Sequence, residues 1–240
     1  MSDSHTLGTI AAVVLATDPD ELLAKMQSCV RALECDQGLF GMRIERPLVG
    51  TVQHVASGYR PEYQRIYQDR HFITRDPTVT HCQSSTAPLV WNEGMYSPAS
   101  FEIMEEARRF GLGHGLSVAV HESATAKSML SLARDKPFEP GSPEERRLRE
   151  GAAVLASALH VATQRLVMPA LFAQLAPTLT AREKTCLHWV AQGKSDGVIA
   201  DILHTSSSAV HFHVTNVLKK LQVSSRAQAV AKAVALGLLD

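Results

Sequence analysis

Three of the chain's four tyrosines, Tyr59, Tyr63 and Tyr67, stand at i, i+4 and i+8, and Asp76-Pro77-Thr78 follows shortly after. On a helix that spacing puts the three phenols on one face. Phenols taken out of water need partners, so three together imply something polar nearby, although the same spacing fits an aromatic stripe packing on a sheet. Asp76 before Pro77 fits an ordinary helix start, and a carboxylate, with about four lone-pair sites, can cap a helix and still accept an amide N–H. A second set lies near the C-terminus. Ser208, Phe212, Thr215 and Lys219 share one face of a helix, with His211 and Lys220 on its flanks. A ring exposed on such a polar face suits a thymine methyl or a sugar in the DNA major groove.

Catalytic constellations are missing. The sequence has neither a Gly-x-Ser-x-Gly elbow nor a phosphate-binding loop. His211 and His213, two apart on a helix, project about 200° apart and cannot chelate one metal. His71, His81, His114 and His121 are scattered without ligand spacing. Neither an enzyme nor a resident cofactor or metal is expected.

The elements that position the C-terminal set are legible. Thr180 with Glu183 forms a capping box that starts a helix at Ala181, and Gly193 suits the left-handed residue past its end. Ser195 or Asp196 can cap a second helix carrying Val198, Ile199, Ile202 and Leu203. A turn at His204-Thr205-Ser206 precedes a third, on which Val210, Val214, Val217 and Leu221 recur as a buried stripe. Ser225 with Gln228 offers another capping box for a last helix ending near Gly237. The expectation is a small all-α domain of four helices with a helix-turn-helix at its centre.

Upstream the pattern alternates. A helix from Asp18-Pro19 to Leu33, strands at Gly38–Ile44 and Thr51–Ala56, and a helix at Pro61–Phe72 come first. A short strand at Leu89–Trp91, a helix at Pro98–Phe110, strands at Gly115–His121 and Ser128–Arg134, and a long helix from Ser142 to Val167 complete it. This predicts an α+β domain, an antiparallel sheet flanked by helices in an α-β-α sandwich. Pro169 and Pro177 interrupt helical texture, so the domains are expected at 1–167 and 178–240 with a linker at 168–177.

Composition agrees with a globular chain of 240 residues. Overall charge is zero, but residues 178–240 carry seven basic and four acidic side chains, a net +3 balanced by −3 upstream, which suits phosphate contacts. No apolar run approaches the roughly 20 residues of a membrane span, and the N-terminus lacks the basic start of a secretory signal. Four cysteines show no paired spacing, which fits a reducing compartment. A cytoplasmic protein is expected, without a membrane partner.

The C-terminal block resembles the DNA-binding domain of LuxR-type regulators. The opening LTAREKTCL, then W-x-A-x-G-K (Trp189 to Lys194), V-x-F-H-x-x-N (Val210 to Asn216), K-K-L (Lys219 to Leu221) and G-L-L (Gly237 to Leu239) follow in register. The resemblance implies DNA contacts from Lys194, Ser207, Ser208, His211, Phe212, Thr215 and Lys219. Val198 stands where the family usually has Glu, and Ala209 where Thr is common, which puts a phosphate-side or capping interaction in question.

Tyr59, Tyr67, Asp76-Pro77-Thr78, Leu89-Val90-Trp91, Gly115 and Ser131 fall in order where the LuxR-type signal-binding domain, particularly its LasR-like members, surrounds an N-acyl-homoserine lactone. The resemblance implies that Asp76 accepts the ligand amide N–H and that hydroxyls of Tyr59, Tyr67, Thr78 and Ser131 approach its carbonyl. It also implies that Trp91 packs by the lactone ring and that an acyl slot is lined by Leu39, Val52, Val79 and Leu130. Tyr63 occupies the position of a family Trp whose indole N–H bonds the lactone carbonyl.

The whole chain thus resembles a quorum-sensing transcription factor. As a homodimer it is expected to pair along the long helix, with Leu148, Ala152, Leu155, Leu159 and Ala162 as the seam, and to address a two-fold symmetric double-stranded operator. RNA polymerase is an implied further partner. Two alternatives stand beside this reading. One is a regulator of the same type that senses a different small molecule. The other is a phosphorylation-controlled response regulator, for which the chain lacks the paired acids near its first strand.

Overall fold

The computed structural model describes residues 3–239. Its residues group into two compact units: the chain up to Ile44 with Gln53–Met168, and Glu45–Val52 with Pro169 onward.

The first unit opens with α1 (Asp3–Ala11) and a 3₁₀ turn at Ala12–Leu15. Asp18, extended, accepts the Glu21 N–H at 2.8 Å, and Pro19 begins α2 (Pro19–Ala32). A five-stranded sheet follows in the order β2 (Gly50–Ser57), β1 (Gln37–Arg46), β5 (Ala126–Arg134), β4 (His114–His121), β3 (Leu89–Val90). The pairs β1/β5, β5/β4 and β4/β3 are antiparallel.

Register decides which residues meet. Phe40, Leu130 and Val118 form one cross-strand row, while Leu39, Ser131, Ser117 and Leu89 form the next. Successive rows point to opposite faces. The face of Phe40 and Leu130 is covered by α6 (Pro143–Leu166) and α2. There Ser128 Oγ bonds His160 Nδ1 of α6 at 2.8 Å, and a Cβ on Gly151 of α6 would lie 2.4 Å from Leu33. The face of Ser131 and Ser117 is covered by α3 (Pro61–Asp69), α4 (Pro77–Ser84) and α5 (Phe101–Arg109). Tyr63 and Ala107 pack there with Ala133, and His121 Nε2 meets the Cys82 carbonyl of α4 at 2.8 Å. This is the expected α-β-α sandwich.

Several expectations need correction. Leu148, Ala152, Leu155, Leu159 and Ala162 are all buried inside the unit against the sheet and α2, so they form core and no seam. The large apolar residues that α6 exposes are Val154 and Val161. Leu130 lies in the row next to that of Ser131, so strand alternation turns it to the opposite face from Ser131 and away from the acyl slot expected there. Helix α3 stops at Asp69 rather than Phe72, because His71 turns left-handed (φ 50°) into a 3₁₀ turn. Helix α5 starts at Phe101, since a hydrogen-bonded turn between Ser97 and Ser100 precedes it. The expected linker contains a helix, α7 (Met168–Gln174), in which Pro169 occupies the first turn, where its missing N–H costs nothing.

The second unit contains α8 (Ala181–Ala191), α9 (Asp196–Leu203), α10 (Ser207–Leu221) and α11 (Arg226–Ala235). The Thr180–Glu183 capping box closes in both directions, and Gly193 is left-handed at φ 73°. Ser195 and Ser206 cap α9 and α10. Val210, Val214, Val217 and Leu221 are buried as their spacing requires. At α11 the box is only half closed: Ser225 accepts the Gln228 N–H, but the Gln228 side chain turns to Ser224. Among the described residues no single helix is long and apolar enough to cross a membrane.

Candidate ligand site and nucleic-acid interface

On the sheet face under α3, α4 and α5, four groups form a hydrogen-bonded line. The Trp91 indole N–H donates to Ser117 Oγ at 2.9 Å, Ser117 and Ser131 hydroxyls meet at 2.8 Å, and Ser131 reaches the Tyr59 phenol. Trp91 can lie flat here because position 115 is glycine. A Cβ there would sit 2.4 Å from the indole ring and 2.6 Å from the Leu132 carbonyl. Ser117 is absent from the sequence-based set. Its signal was available, since a hairpin closed between β4 and β5 pairs it with Ser131.

Asp76 organises the other side. It is the N-cap of α4, and its Oδ1 accepts both the backbone N–H (2.8 Å) and the hydroxyl (2.7 Å) of Thr78. Oδ2 accepts the Tyr67 phenol at 2.8 Å. The helix-start expectation for Asp76 is therefore met, and its second oxygen is turned to a phenol. With three donors in place, one of about four lone-pair directions stays available, on Oδ2.

Tyr59, Tyr63 and Tyr67 do share a face of the α3 segment, with Tyr63 ring-packed against Tyr59 (6.1 Å), Tyr67 (6.0 Å) and Phe110 (5.6 Å). Burial first, and the negative charge of Asp76 among the further causes, push the phenols of Tyr59, Tyr63 and Tyr67 well above the usual tyrosine value. The same two causes raise Tyr96, with Arg108 opposing. All four tyrosines of the chain thus feel one carboxylate and keep their protons as donors. Tyr96 carried no sequence signal, because it lies in a loop far from the tyrosine stripe. Burial, then Asp76, also lifts the Cys82 thiol to about 12, which leaves it inert.

The rows around this network pair Gly115 with Ala133 on one side, and on the other place Met129 between Gly41 and Ala119. Leu39 shares the serine row, and Val79 on α4 is half-buried.

In the second unit, Lys194, Ser207, Ser208, His211, Phe212 and Lys219 are exposed, and Thr215 is half-buried on the same helix. Phe212 is 61 % exposed, a large cost in apolar surface for a helix with no partner. Lys220 does not join this surface. Its ammonium bonds the buried Glu183 carboxylate at 2.7 Å and the Thr178 carbonyl at 3.1 Å. His211 Nδ1 lies 3.2 Å from Asp196 Oδ2, a partner the sequence did not announce. The two departures from the family pattern are harmless to the fold. Val198 is exposed, and the cap of α10 comes from Ser206, whose Oγ accepts the Ala209 N–H at 3.1 Å.

Comparison with known proteins places both units. The autoinducer binding domain matches residues 18–164, and the bacterial regulatory proteins of the luxR family match residues 177–233. The transcriptional activator protein SolR of Ralstonia nicotianae is 32 % identical over 93 % of this chain and 94 % of its own. The quorum-sensing regulator RhlR of Pseudomonas aeruginosa is 31 % identical over 92 % of this chain and 91 % of its own. Among solved structures, Escherichia coli SdiA superposes with a TM-score of 0.64 at 25 % identity, covering 98 % of each chain. The chain belongs to the LuxR family of autoinducer-binding, helix-turn-helix transcription regulators.

Proposed function

We propose that the first unit binds an N-acyl-homoserine lactone, and that the chain, as a homodimer, reads a two-fold symmetric operator. The observation that carries the ligand reading is the state of Asp76: three donors fix it, and one lone-pair direction is left among neutral phenols. That is the complement of an amide N–H beside a carbonyl, the carbonyl being served by hydroxyls of the Tyr59–Ser131–Ser117 line. An acyl chain would extend over the face that carries Gly41, Met129 and Ala119, and each buried methylene contributes about 0.8 kcal/mol, so chain length is discriminated by depth. Native mass spectrometry of the full chain with acyl-homoserine lactones of graded chain length tests this. Retention of lactone but not of the ring-opened acid supports it, and equal retention of both, or of neither, rejects it.

Pairing of two copies has Val154 and Val161 as its candidates, since α6 exposes them at 47 % and 52 %. Two recognition helices then address half-sites related as the protomers are. Light scattering of the full chain, alone and with Val154→Glu/Val161→Glu, reads the oligomeric state.

A second reading, a different small amide or ester as ligand, is favoured by Tyr63. Its phenol is buried beside Tyr59 and Tyr67, where the family carries a Trp indole, and it would donate from another point in space. A geometry-dependent hydrogen-bonding site discriminates steeply. Tyr63→Trp improves homoserine-lactone binding if the family pose is kept and abolishes it if the pocket is built for something else.

A further inference from the structure

Asp196 is the first residue of α9, behind the Ser195 cap, and its carboxylate is only 16 % exposed. One oxygen pairs with Arg226 at the start of α11 (2.6 Å), and the other faces His211 Nδ1 on the first turns of α10 (3.2 Å). The imidazole is 72 % exposed, so its remaining nitrogen, Nε2, meets solvent. One carboxylate therefore ties three helices together and holds a ring on the helix that carries Ser208, Phe212 and Thr215.

We propose that Asp196 is a positioning residue that sets the tautomer of His211, so that α10 presents Nε2 to the major groove as an acceptor and selects a base with an exocyclic amino group, adenine or cytosine. The chemistry follows from donor counting. A carboxylate paired with Arg226 can only accept, so Nδ1 must carry the proton of the neutral ring. Nε2 is then left with a lone pair. In the major groove only adenine N6 and cytosine N4 are donors, whereas guanine and thymine oppose a lone pair with O6, N7 or O4. The inference rests on α10 being the helix that enters the groove, whose N-terminal residues reach base edges.

The test uses the whole chain and selection from a randomised duplex library. The expected result is one base column of the enriched site, erased by His211→Ala, that reads adenine or cytosine. Asp196→Ala flattens that column by at least about fivefold and leaves the others. Arg226→Gln, which breaks the other half of the network, leaves it intact. A long-range ¹H–¹⁵N spectrum gives the tautomer directly, with His211 assigned by its absence in His211→Gln. An Nδ1–H ring in the wild type that becomes mixed in Asp196→Ala supports the proposal. An Nε2–H ring in the wild type, or a column that responds to His211→Ala but not to Asp196→Ala, overturns it alone. Failure to enrich any site overturns it together with sequence-specific DNA reading.

Discussion

Lys220 reaches from the last turn of α10 to the N-terminus of α8 and donates to Glu183 Oε2 at 2.7 Å. Glu183 is buried, and the same carboxylate closes the capping box on the Thr180 N–H. A lysine that sequence pattern puts on the flank of the DNA surface is thus committed to holding two helices together.

Burial pushes the Glu183 carboxyl up, but Lys220 and the Thr180 N–H outweigh it and hold it below the ordinary value. Lys220→Met removes one partner of that pair. Because the ammonium is partly exposed, the loss is expected at roughly 1–3 kcal/mol rather than the full cost of an orphaned buried charge. A carboxyl depressed in the folded state stabilises above its unfolded pKa, and that stabilisation fades as the pH falls through the folded value. The deficit of Lys220→Met is therefore largest at neutral pH and closes below about pH 4. Urea unfolding across that range checks it, and a pH-independent deficit would contradict the pairing.

Asp76→Asn keeps an oxygen for Thr78 but replaces the acceptor turned to Tyr67 and to the proposed ligand with an amide that donates. A hydrogen bond to a charged acceptor contributes roughly 1.5–3 kcal/mol, so affinity for an acyl-homoserine lactone should fall by about ten- to a hundredfold. Titration calorimetry measures this, and unchanged affinity removes Asp76 as the amide acceptor.

Gly115→Ala forces a methyl into the Trp91 ring and the Leu132 carbonyl. Backbone cannot give way as a side-chain tip can, so the indole must leave its bond to Ser117. Destabilisation of about 1–3 kcal/mol is expected, with a red-shifted Trp91 fluorescence in a Trp189→Phe background. An unshifted spectrum would place the indole elsewhere.

Lys219 is exposed at the end of α10, and Thr215 is half-buried one turn earlier. Lys219→Ala should weaken all duplexes alike and lower the salt slope by about one, whereas Thr215→Ala should chiefly relax sequence discrimination. Filter binding on a selected and a scrambled duplex at graded salt separates the two, and equal losses for Thr215→Ala would deny it a reading role.

Val214, 5 % exposed, packs within the second unit's core with Val210 and Ile199. Truncation to Ala should cost about 1–3 kcal/mol through the space it leaves. Chemical unfolding of the C-terminal transition reads that value directly.

Local chemistry settles much of this protein without reference to packing. The caps at Asp18, Thr180 and Ser195, the left-handed Gly193 and the stripe Val210, Val214, Val217, Leu221 are properties of short segments, because a cap or a helical period is satisfied within a few residues. So were the shared face of Tyr59, Tyr63 and Tyr67 and the double competence of Asp76. Long-range contacts decided the rest. The apolar residues of α6 read equally as a seam or as core, since periodicity identifies a buried face without saying what buries it. Only the sheet and α2 behind Leu148 and Leu155 made them core. Leu130 and Ser131 are neighbours in sequence, and strand alternation alone sent one to the face under α6 and the other to the face under α3, α4 and α5. Ser117, Lys220 and Asp196 acquired their partners from elements distant in the chain, and a charge or hydroxyl declares its role only when folding brings its partner within about 3 Å.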